Sequence, residues 1–124
     1  MNIIITATGP TKDDRIDPRF GRAAYLVCLD SATEALAAYS NQENAESAQG
    51  AGIKTAQRVV DLEATVVITG DVGPKALPLL REAGIETFAA ESSLSVLEAF
   101  EQWRQEKLPL IEQAGGRRAG MGQT

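Results

Sequence analysis

Short apolar runs, separated by polar and glycine-rich segments, divide this chain into predicted strands and helices. Residues 2–7 form a β-branched apolar run that stops at a Thr-Gly-Pro turn, which is typical of a buried central strand. Residues 24–30 and 34–40 predict a second and a third strand joined by a short turn, and hence a hairpin. Residues 65–69 and 85–89 are two more short apolar runs. They predict the fourth and fifth strands.

A predicted helix follows each of the third, fourth and fifth strands. The first begins at the glycine-rich residues 50–52 and continues with apolar positions at helical spacing. The second begins at Pro74, a residue suited to the first helical position, and ends at Gly84, a natural C-terminal cap, although an interior proline threatens to kink it. The third spans about 93–107 and is capped by Ser92 or a neighbouring serine.

The order of these elements predicts the fold class. Three strands followed by alternating helices and strands indicate an α/β fold with a mixed five-stranded sheet and helices on both faces. Right-handed crossovers give the strand order 3-2-1-4-5, with strand 2 antiparallel to its neighbours. The polar segments 9–21 and 41–49 are predicted loops. Residues 1–113 then form a single domain, and the glycine-rich residues 114–124 are expected to be a flexible tail.

This topology brings three loop segments to one edge of the sheet. The loop after the first strand, the start of the first helix and the turn 70–74 all lie beside the carboxyl ends of the parallel strands, where open α/β sheets bind ligands. Two helix N-termini point there, and Arg19, Arg22, Lys54 and Lys75 can add positive charge. Each glycine alone can simply build a turn, and each basic residue can simply be solvated. Their convergence is what indicates an anion-binding site.

The composition of the chain excludes several kinds of site and partner. The 124 residues fit one domain, and 12 Lys plus Arg against 17 Asp plus Glu give a net charge of −5, which disfavours nucleic-acid binding. One Cys and no His exclude an intrachain disulfide, a structural zinc site and a His-based catalytic unit. The apolar runs are too short to cross a membrane, and the first residues do not resemble a signal peptide. We therefore expect a cytoplasmic protein.

Four blocks of sequence, in order, resemble the nitrogenase iron-molybdenum cofactor biosynthesis family. Residues 17–23 resemble its phenylalanine-glycine-arginine signature, and residues 50–57, 66–76 and 83–85 resemble its next three blocks. The tail, rich in Gly and Met, is also similar. Because the blocks cover nearly the whole chain, the protein is identified as an orange-protein-like, stand-alone member of this family of cofactor carriers.

The resemblance implies a ribonuclease H-like three-layer fold, in agreement with the element order. It also implies a non-enzymatic protein that binds or carries a metal-sulfur cluster, of the molybdenum-copper sulfide or the iron-molybdenum-sulfur type. Relatives of the orange-protein type are associated with ATPases of the cell-division and cluster-scaffold classes, so such an ATPase is the partner to expect. Neither a nucleic acid nor a membrane is expected as a partner, and the protein is expected to be a monomer or a weak homo-oligomer.

The expected site follows the family blocks and contains neither catalytic residues nor direct metal ligands. Where family members often carry His, this chain has Arg19 and Gln49, and an arginine can instead donate charge-assisted hydrogen bonds to sulfide or oxo groups. Cys28 lies in an apolar strand and is read as a core residue. Phe20 and Val72 are expected to shield the cluster from water. The cofactor-binding residues predicted are Arg19, Phe20, Gly21, Arg22, Gly50, Gly52, Gly70, Val72, Gly73 and Lys75.

Two hypotheses from different classes remain. A ribonuclease H-type nuclease is rejected because the first strand carries no carboxylate, and a phosphoacceptor receiver is disfavoured because the fourth strand ends in Thr69-Gly70. The first hypothesis is a carrier of an anionic metal-sulfur cluster. The second is an interaction or regulatory module whose loops dock a partner ATPase without any cluster.

Overall fold

The computed structural model describes residues 1–114 and the backbone of residues 117–118. The β-branched and aromatic apolar runs form strands, and the amphipathic segments form helices. The strands are β1 (Asn2–Ala7), β2 (Tyr25–Asp30), β3 (Leu36–Ser40), β4 (Ala64–Thr69), β5 (Glu86–Ala89), β6 (Ile111–Gln113) and β7 (Arg117–Arg118). The helices are α1 (Gln42–Ala45), α2 (Ala51–Asp61), α3 (Ala76–Glu82) and α4 (Val96–Arg104).

The main sheet has five strands in the order β3-β2-β1-β4-β5, as the sequence predicts. β2 is antiparallel to both of its neighbours, β1 and β3, whereas β1, β4 and β5 are parallel. The carboxyl ends of the three parallel strands therefore lie at one edge. β6 and β7 form a separate antiparallel pair.

Alternate residues of the central strands face two separate cores. Ile4 lies in the core beneath α2 and α3, and its neighbours Ile3 and Ile5 lie in the core beneath α4 with Phe100. All four side chains are fully buried. Because β1 is covered on both sides, it is apolar without alternation, as expected of a central strand in a parallel sheet. The predicted helices on both faces are thus confirmed.

Helix boundaries differ from the predicted ones for local reasons. α4 begins later than expected because Ser95 caps it in a reciprocal capping box with Glu98. Pro78 is the third residue of α3 and so lies in its first turn, where proline is tolerated, and at seven residues the helix is shorter than the predicted one. The predicted loop 41–49 contains the one-turn helix α1, which buries no side chain and so leaves no apolar period in the sequence.

The chain after α4 forms structure that the sequence reading missed. The backbone N–H of Ala89 donates to Pro109 O (2.9 Å), and Phe88 makes an antiparallel bridge to Leu110 just before β6. In the predicted flexible tail, residues 117–118 pair with β6. The other tail residues, 115–116 and 119–124, lie outside the described residues, and their flexibility stays a prediction.

Candidate functional site

Three segments meet at the carboxyl edge of the parallel strands and enclose an open depression of about 420 Å³. The first is the loop between β1 and β2, the second is the start of α2, and the third is the turn between β4 and α3. The lining residues are Arg19, Phe20, Gly21, Arg22, Gly50, Ala51, Gly52, Ile53, Asp71, Gly73, Pro74, Lys75 and Ala76. The edge predicted from topology is therefore where the depression lies.

The loop between β1 and β2 is fastened to the sheet by backbone atoms and buried hydroxyls. The N–H of Asp17 donates to Thr6 O (2.9 Å), and the Thr6 hydroxyl donates to Asp17 O (2.8 Å). The same hydroxyl lies 2.7 Å from the hydroxyl of Thr69 on β4. Both threonines are fully buried at the carboxyl ends of their strands. These bonds hold the loop directly over the edge where β1 and β4 end.

The loop is also bonded to the turn that follows β4. The Phe20 N–H donates to Asp71 O (3.1 Å), and Arg19 and Asp71 form a parallel bridge. The Phe20 side chain is only 2% exposed and belongs to the core beneath α2 and α3. Its burial adds apolar stabilisation to this connection.

Gly21 is required by close packing against α2. A Cβ built on Gly21 would lie 2.7 Å from both the Cα and the N of Gly52, which is closer than real Cβ contacts. The loop can therefore touch the start of α2 only because residue 21 has no side chain. Gly50, just before α2, has φ +76°, a left-handed conformation that also favours glycine.

A buried polar network on α2 and the end of β3 supports the other end of this loop. Asn41 is fully buried, and its Nδ2 donates to Ala23 O (3.0 Å) and to Thr55 Oγ1 (3.2 Å). The Thr55 hydroxyl lies 3.4 Å from Gly21 O. The sequence reading missed both residues. The sequence feature that could have revealed them is an Asn and a Thr at positions that face the core, because a buried polar group needs a hydrogen-bond partner.

The charges around the depression are mainly positive. Arg19, Arg22 and Lys75 line it and are exposed, whereas Asp71 is the carboxylate in its lining. Arg19 is held by Asp17, whose Oδ1 accepts from its backbone N–H (3.1 Å) and lies 3.6 Å from its Nε, yet the Arg19 side chain remains 68% exposed. Arg22 donates to Ala45 O (2.6 Å) and Ser47 O (3.0 Å), which ties α1 to the rim. A positive rim has formed on a chain of net charge −5.

The first turn of α2 adds hydrogen-bond donors to the lining. Intrahelical bonding begins where Lys54 N–H donates to Gly50 O (2.9 Å), so the amides of residues 51–53 have no partner within the helix. No side chain caps this helix. Amides at a helix N-terminus favour negative charge. The N-terminus of α3, the second one predicted at this edge, contributes less to the attraction of an anion because α3 has only seven residues. Its segment adds Pro74, Lys75 and Ala76 to the lining.

Eight of the ten predicted site residues lie in the lining, and two do not. Gly70 packs on Pro18, because a Cβ there would lie 2.7 Å from Pro18 Cα. Val72 is 1% exposed and packs in the core beneath the depression, so its side chain does not reach the surface of the depression. The sequence prediction included Gly70 for close approach of the backbone to a ligand and Val72 as a shield against water. Lys54 also turns away from the lining, since its Nζ donates to Ser47 Oγ (3.2 Å).

This site offers few side chains that could coordinate a metal ion directly. Within residues 1–114, no group of three His, Cys, Asp or Glu side chains comes together as a candidate metal site. Cys28 lies on β2 beside Ile4, away from the lining. Burial raises the pKa of the Cys28 thiol, and the charge of Asp30 raises it further. A thiol of this kind is a poor ligand and nucleophile at neutral pH.

The chain matches one sequence family over most of its length. The sequence profile described as dinitrogenase iron-molybdenum cofactor matches residues 1–106. No curated protein sequence matches the chain significantly. The apo form of the orange protein from Desulfovibrio gigas is 38% identical, with a TM-score of 0.89, over 92% of this chain and 95% of that one.

Two more distant solved structures show the same fold. One is a protein from Thermotoga named as a NifB candidate of the DUF35 family, at 23% identity and a TM-score of 0.77, over 98% of both chains. The other, from Methanocaldococcus jannaschii, is named as a candidate dinitrogenase, at 16% identity and a TM-score of 0.67, over 91% of this chain and 96% of that one. At these identities the likeness extends to the fold alone.

Proposed function

Because the chain belongs to the dinitrogenase iron-molybdenum cofactor family, we propose that it binds and carries an anionic metal-sulfur cluster without chemically changing it. The cluster is of the molybdenum-copper sulfide or iron-molybdenum-sulfur type. It sits in the depression lined by residues 19–22, 50–53, 71 and 73–76. The cluster is cargo, held non-covalently and passed on intact.

The observation that carries this proposal is a positive rim around donor-rich backbone in a protein of net negative charge. Arg19 and Lys75 come from two different lining segments and are both exposed, and the first turn of α2 is the third lining segment. Fixed cations and free amides that converge on one cavity are suited to an anion whose charge is spread over several atoms. A cluster surfaced with sulfide has that property.

The donor set fits a preassembled cluster better than a bare metal ion. The lining supplies guanidinium, ammonium and backbone N–H groups, which donate hydrogen bonds and do not ligate a metal. Its one carboxylate, Asp71, is too few to hold a cation alone. The chain's single thiol, on Cys28, is outside the lining. The metals must therefore arrive already coordinated by sulfide.

The apolar part of the lining gives a second contribution. Phe20, Ala51, Ile53, Pro74 and Ala76 place carbon next to the charged groups. Ile53 is 41% exposed, so a large apolar side chain stands at the rim with no protein covering it. Sulfide is a weak hydrogen-bond acceptor and is less strongly hydrated than oxide. The carbon in the lining therefore adds contacts that favour a sulfide-surfaced anion over phosphate or sulfate.

Reconstitution tests the proposal directly. The purified chain is mixed with molybdate, copper and sulfide, or with iron and sulfide, and separated by gel filtration. We expect visible absorption bands and stoichiometric metal, by elemental analysis, to elute with the protein. Protein that elutes without colour or metal in both mixtures contradicts the carrier proposal and favours the hypothesis of a docking module for an ATPase.

Charge variants show whether the cargo is at this site. Lys75→Ala and Arg19→Ala each remove one positive charge from the rim, and we expect each to lower retention about threefold to tenfold. Arg81→Ala is the matched control, because Arg81 is exposed at the other end of α3 and outside the lining. Asp71→Asn removes the only carboxylate in the lining and should strengthen retention of an anion. Weaker retention in Asp71→Asn would indicate a cationic cargo instead.

A further inference from the structure

A buried carboxylate lies directly behind the rim of the depression. Asp17 is 5% exposed, and its ion-pair partner is Arg19, whose Nε lies 3.6 Å from Asp17 Oδ1. Burial of a carboxylate is costly unless the charge is paired. The Arg19 side chain, in contrast, is exposed and lines the depression. The pair therefore joins a buried anion to a cation on the surface that faces a ligand.

The carboxylate is carried by a rigid segment of the loop. The N–H and the C=O of Asp17 both bond to the buried Thr6 at the end of β1. The ring of Pro18 fixes its φ angle, and Pro18 packs against Gly70 so closely that a Cβ on residue 70 would lie 2.7 Å from its Cα. Asp17 Oδ1 then accepts from Arg19 N–H (3.1 Å), which closes a tight turn. The Arg19 side chain thus starts from a fixed base.

This turn does not need the charge of Asp17. An asparagine has the same Oδ1, which also accepts from the N–H two residues further on. What the carboxylate adds is attraction for the guanidinium, because a separation of 3.6 Å is an ion pair and is too long for a hydrogen bond. The buried charge therefore serves the side chain of Arg19 and not the backbone of the loop.

The contact with Asp17 leaves most of the Arg19 donors available. It engages Nε, and within residues 1–114 no hydrogen bond is made by Nη1 or Nη2 of Arg19. Arg22, the other arginine of the rim, instead donates through Nη1 to the carbonyls of Ala45 and Ser47. Arg19 is thus the arginine of the rim whose Nη1 and Nη2 are both free to meet a ligand.

We infer that Asp17 is a positioning residue, which holds Arg19 by Nε so that Nη1 and Nη2 are presented together to an anion in the depression. This inference rests on the anion-binding part of the proposed function. Arg19 then acts through its geometry as well as its charge. Two parallel N–H donors match two neighbouring acceptor atoms, such as two sulfides on one metal, whereas a lysine offers a point charge.

Reciprocal replacements separate geometry from charge. The probe is tetrathiomolybdate, a one-metal anion surfaced with sulfide, and its dissociation constant is measured by titration into the cluster-free chain. Arg19→Lys keeps the charge but loses Nε and the paired donors, so we expect binding to weaken about threefold or more. Lys75→Arg is the matched control on the same rim, with binding within about twofold of the wild type. Equal binding by Arg19→Lys and the wild type overturns the inference.

A double-mutant cycle measures the coupling between the two residues. Asp17→Asn removes a negative charge near the anion, and by charge alone it should strengthen binding by the same factor whether residue 19 is Arg or Ala. Positioning predicts a smaller gain, or a loss, where Arg19 is present. We expect the two factors to differ by about threefold or more. Equal factors in the wild-type and Arg19→Ala backgrounds overturn the inference.

Nuclear magnetic resonance relaxation tests the positioning without any ligand, and in the wild type it does not depend on the folding of a variant. The ¹⁵N relaxation of the Arg19 Nε–H should show a more ordered group than that of Arg81, which is exposed and makes no side-chain bond within residues 1–114. The order should fall in Asp17→Asn, with circular dichroism verifying the fold. An Arg19 Nε–H as mobile as that of Arg81 overturns the inference.

These outcomes distinguish the inference from the carrier proposal. A wild type that binds tetrathiomolybdate with coupling between Asp17 and Arg19, but retains no assembled cluster, contradicts carriage and supports the positioning role. A wild type that retains the cluster but shows no coupling supports carriage and overturns the positioning role. Absence of tetrathiomolybdate binding by the wild type also overturns it.

Discussion

Replacing Gly21 with alanine tests how the site is assembled. The new Cβ would lie 2.7 Å from Gly52 Cα and N and 3.1 Å from the Ala51 carbonyl carbon. Carbon atoms in contact are normally about 3.5–4.0 Å apart, so the loop or the helix must move by about 1 Å. α2 cannot yield easily, since Ala56 and Val59 are fully buried against the sheet. The loop must therefore lift away from α2.

The expected cost can be set against the stabilisation that Gly→Ala gives through the unfolded chain. Overpacking costs about 1–3 kcal/mol, and the alanine recovers about 0.4–1 kcal/mol by restricting the unfolded state. The net loss is about 1–2 kcal/mol. With a urea m-value of about 1–2 kcal/mol/M for a chain of this size, the unfolding midpoint should fall by roughly 1 M. Cluster retention should fall with it, because the loop carries Arg19 and Arg22.

Two other glycines provide matched controls. A Cβ on Gly73 meets no atom within 4 Å, and one on Gly52 makes an ordinary 3.5 Å contact with Ala76 Cβ. Gly73→Ala and Gly52→Ala should therefore unfold at or above the wild-type midpoint, Gly52→Ala gaining from helix propensity. If Gly21→Ala unfolds at the same urea concentration as Gly73→Ala, the close packing of the loop on α2 is refuted.

Further substitutions test the rim, the lone thiol and a helix cap. Arg22→Ala removes a rim charge and frees the Ala45 and Ser47 carbonyls, so retention should fall several-fold with an unchanged circular dichroism spectrum; unchanged retention would exclude Arg22 from the site. Cys28→Ser should retain the cluster fully, and loss of the cluster would place Cys28 in the site. In the wild type, the raised pKa of the Cys28 thiol should make its alkylation by iodoacetamide at pH 8 slower than that of glutathione. Ser95→Ala should lower the free energy of unfolding by about 1 kcal/mol at pH 7. Ser95 hydrogen bonds lower the pKa of Glu98, so their stabilisation is present above the usual Glu pKa and is lost as the pH falls through the lowered value. The Glu98 N–H to Ser95 Oγ bond does not titrate, so the Ser95→Ala deficit should persist at low pH, whereas the advantage of the wild type over Glu98→Gln should shrink as the pH falls through the lowered Glu98 pKa; a wild type to Glu98→Gln difference that is independent of pH would contradict that linkage.

Sequence patterns predicted the elements that bury an apolar face. β1 and β4 are uniformly apolar because both of their faces are covered, and α2 and α4 have a clear helical period. α1 and β6 escaped prediction for the opposite reason. α1 buries no side chain, and only Ile111 of the three residues of β6 is buried. Elements that bury so little leave no apolar pattern for the sequence to reveal.

The site, too, has parts that the sequence predicts and parts that depend on packing. Topology alone places the loop, the start of α2 and the turn at one edge, so most of the predicted lining is there. Whether Val72 points out or in depends on how the turn packs, which no local pattern specifies. The Asn41–Thr55 bond joins residues 14 apart in the chain. A polar pair of that kind becomes visible only when the fold brings both residues into the core.

The bonds that hold the loop from Asp17 to Phe20 are made by its backbone, with Thr6 and Asp71 as partners. The exposed Arg19 side chain takes no part in fixing that backbone to the sheet. At position 19 the backbone fixes the loop and the side chain lines the depression, so a substitution there can alter the lining without altering the loop. A His or Cys at position 19 would occupy the same place on the rim. For this reason the depression can change the ligand that it prefers during evolution while the fold stays the same.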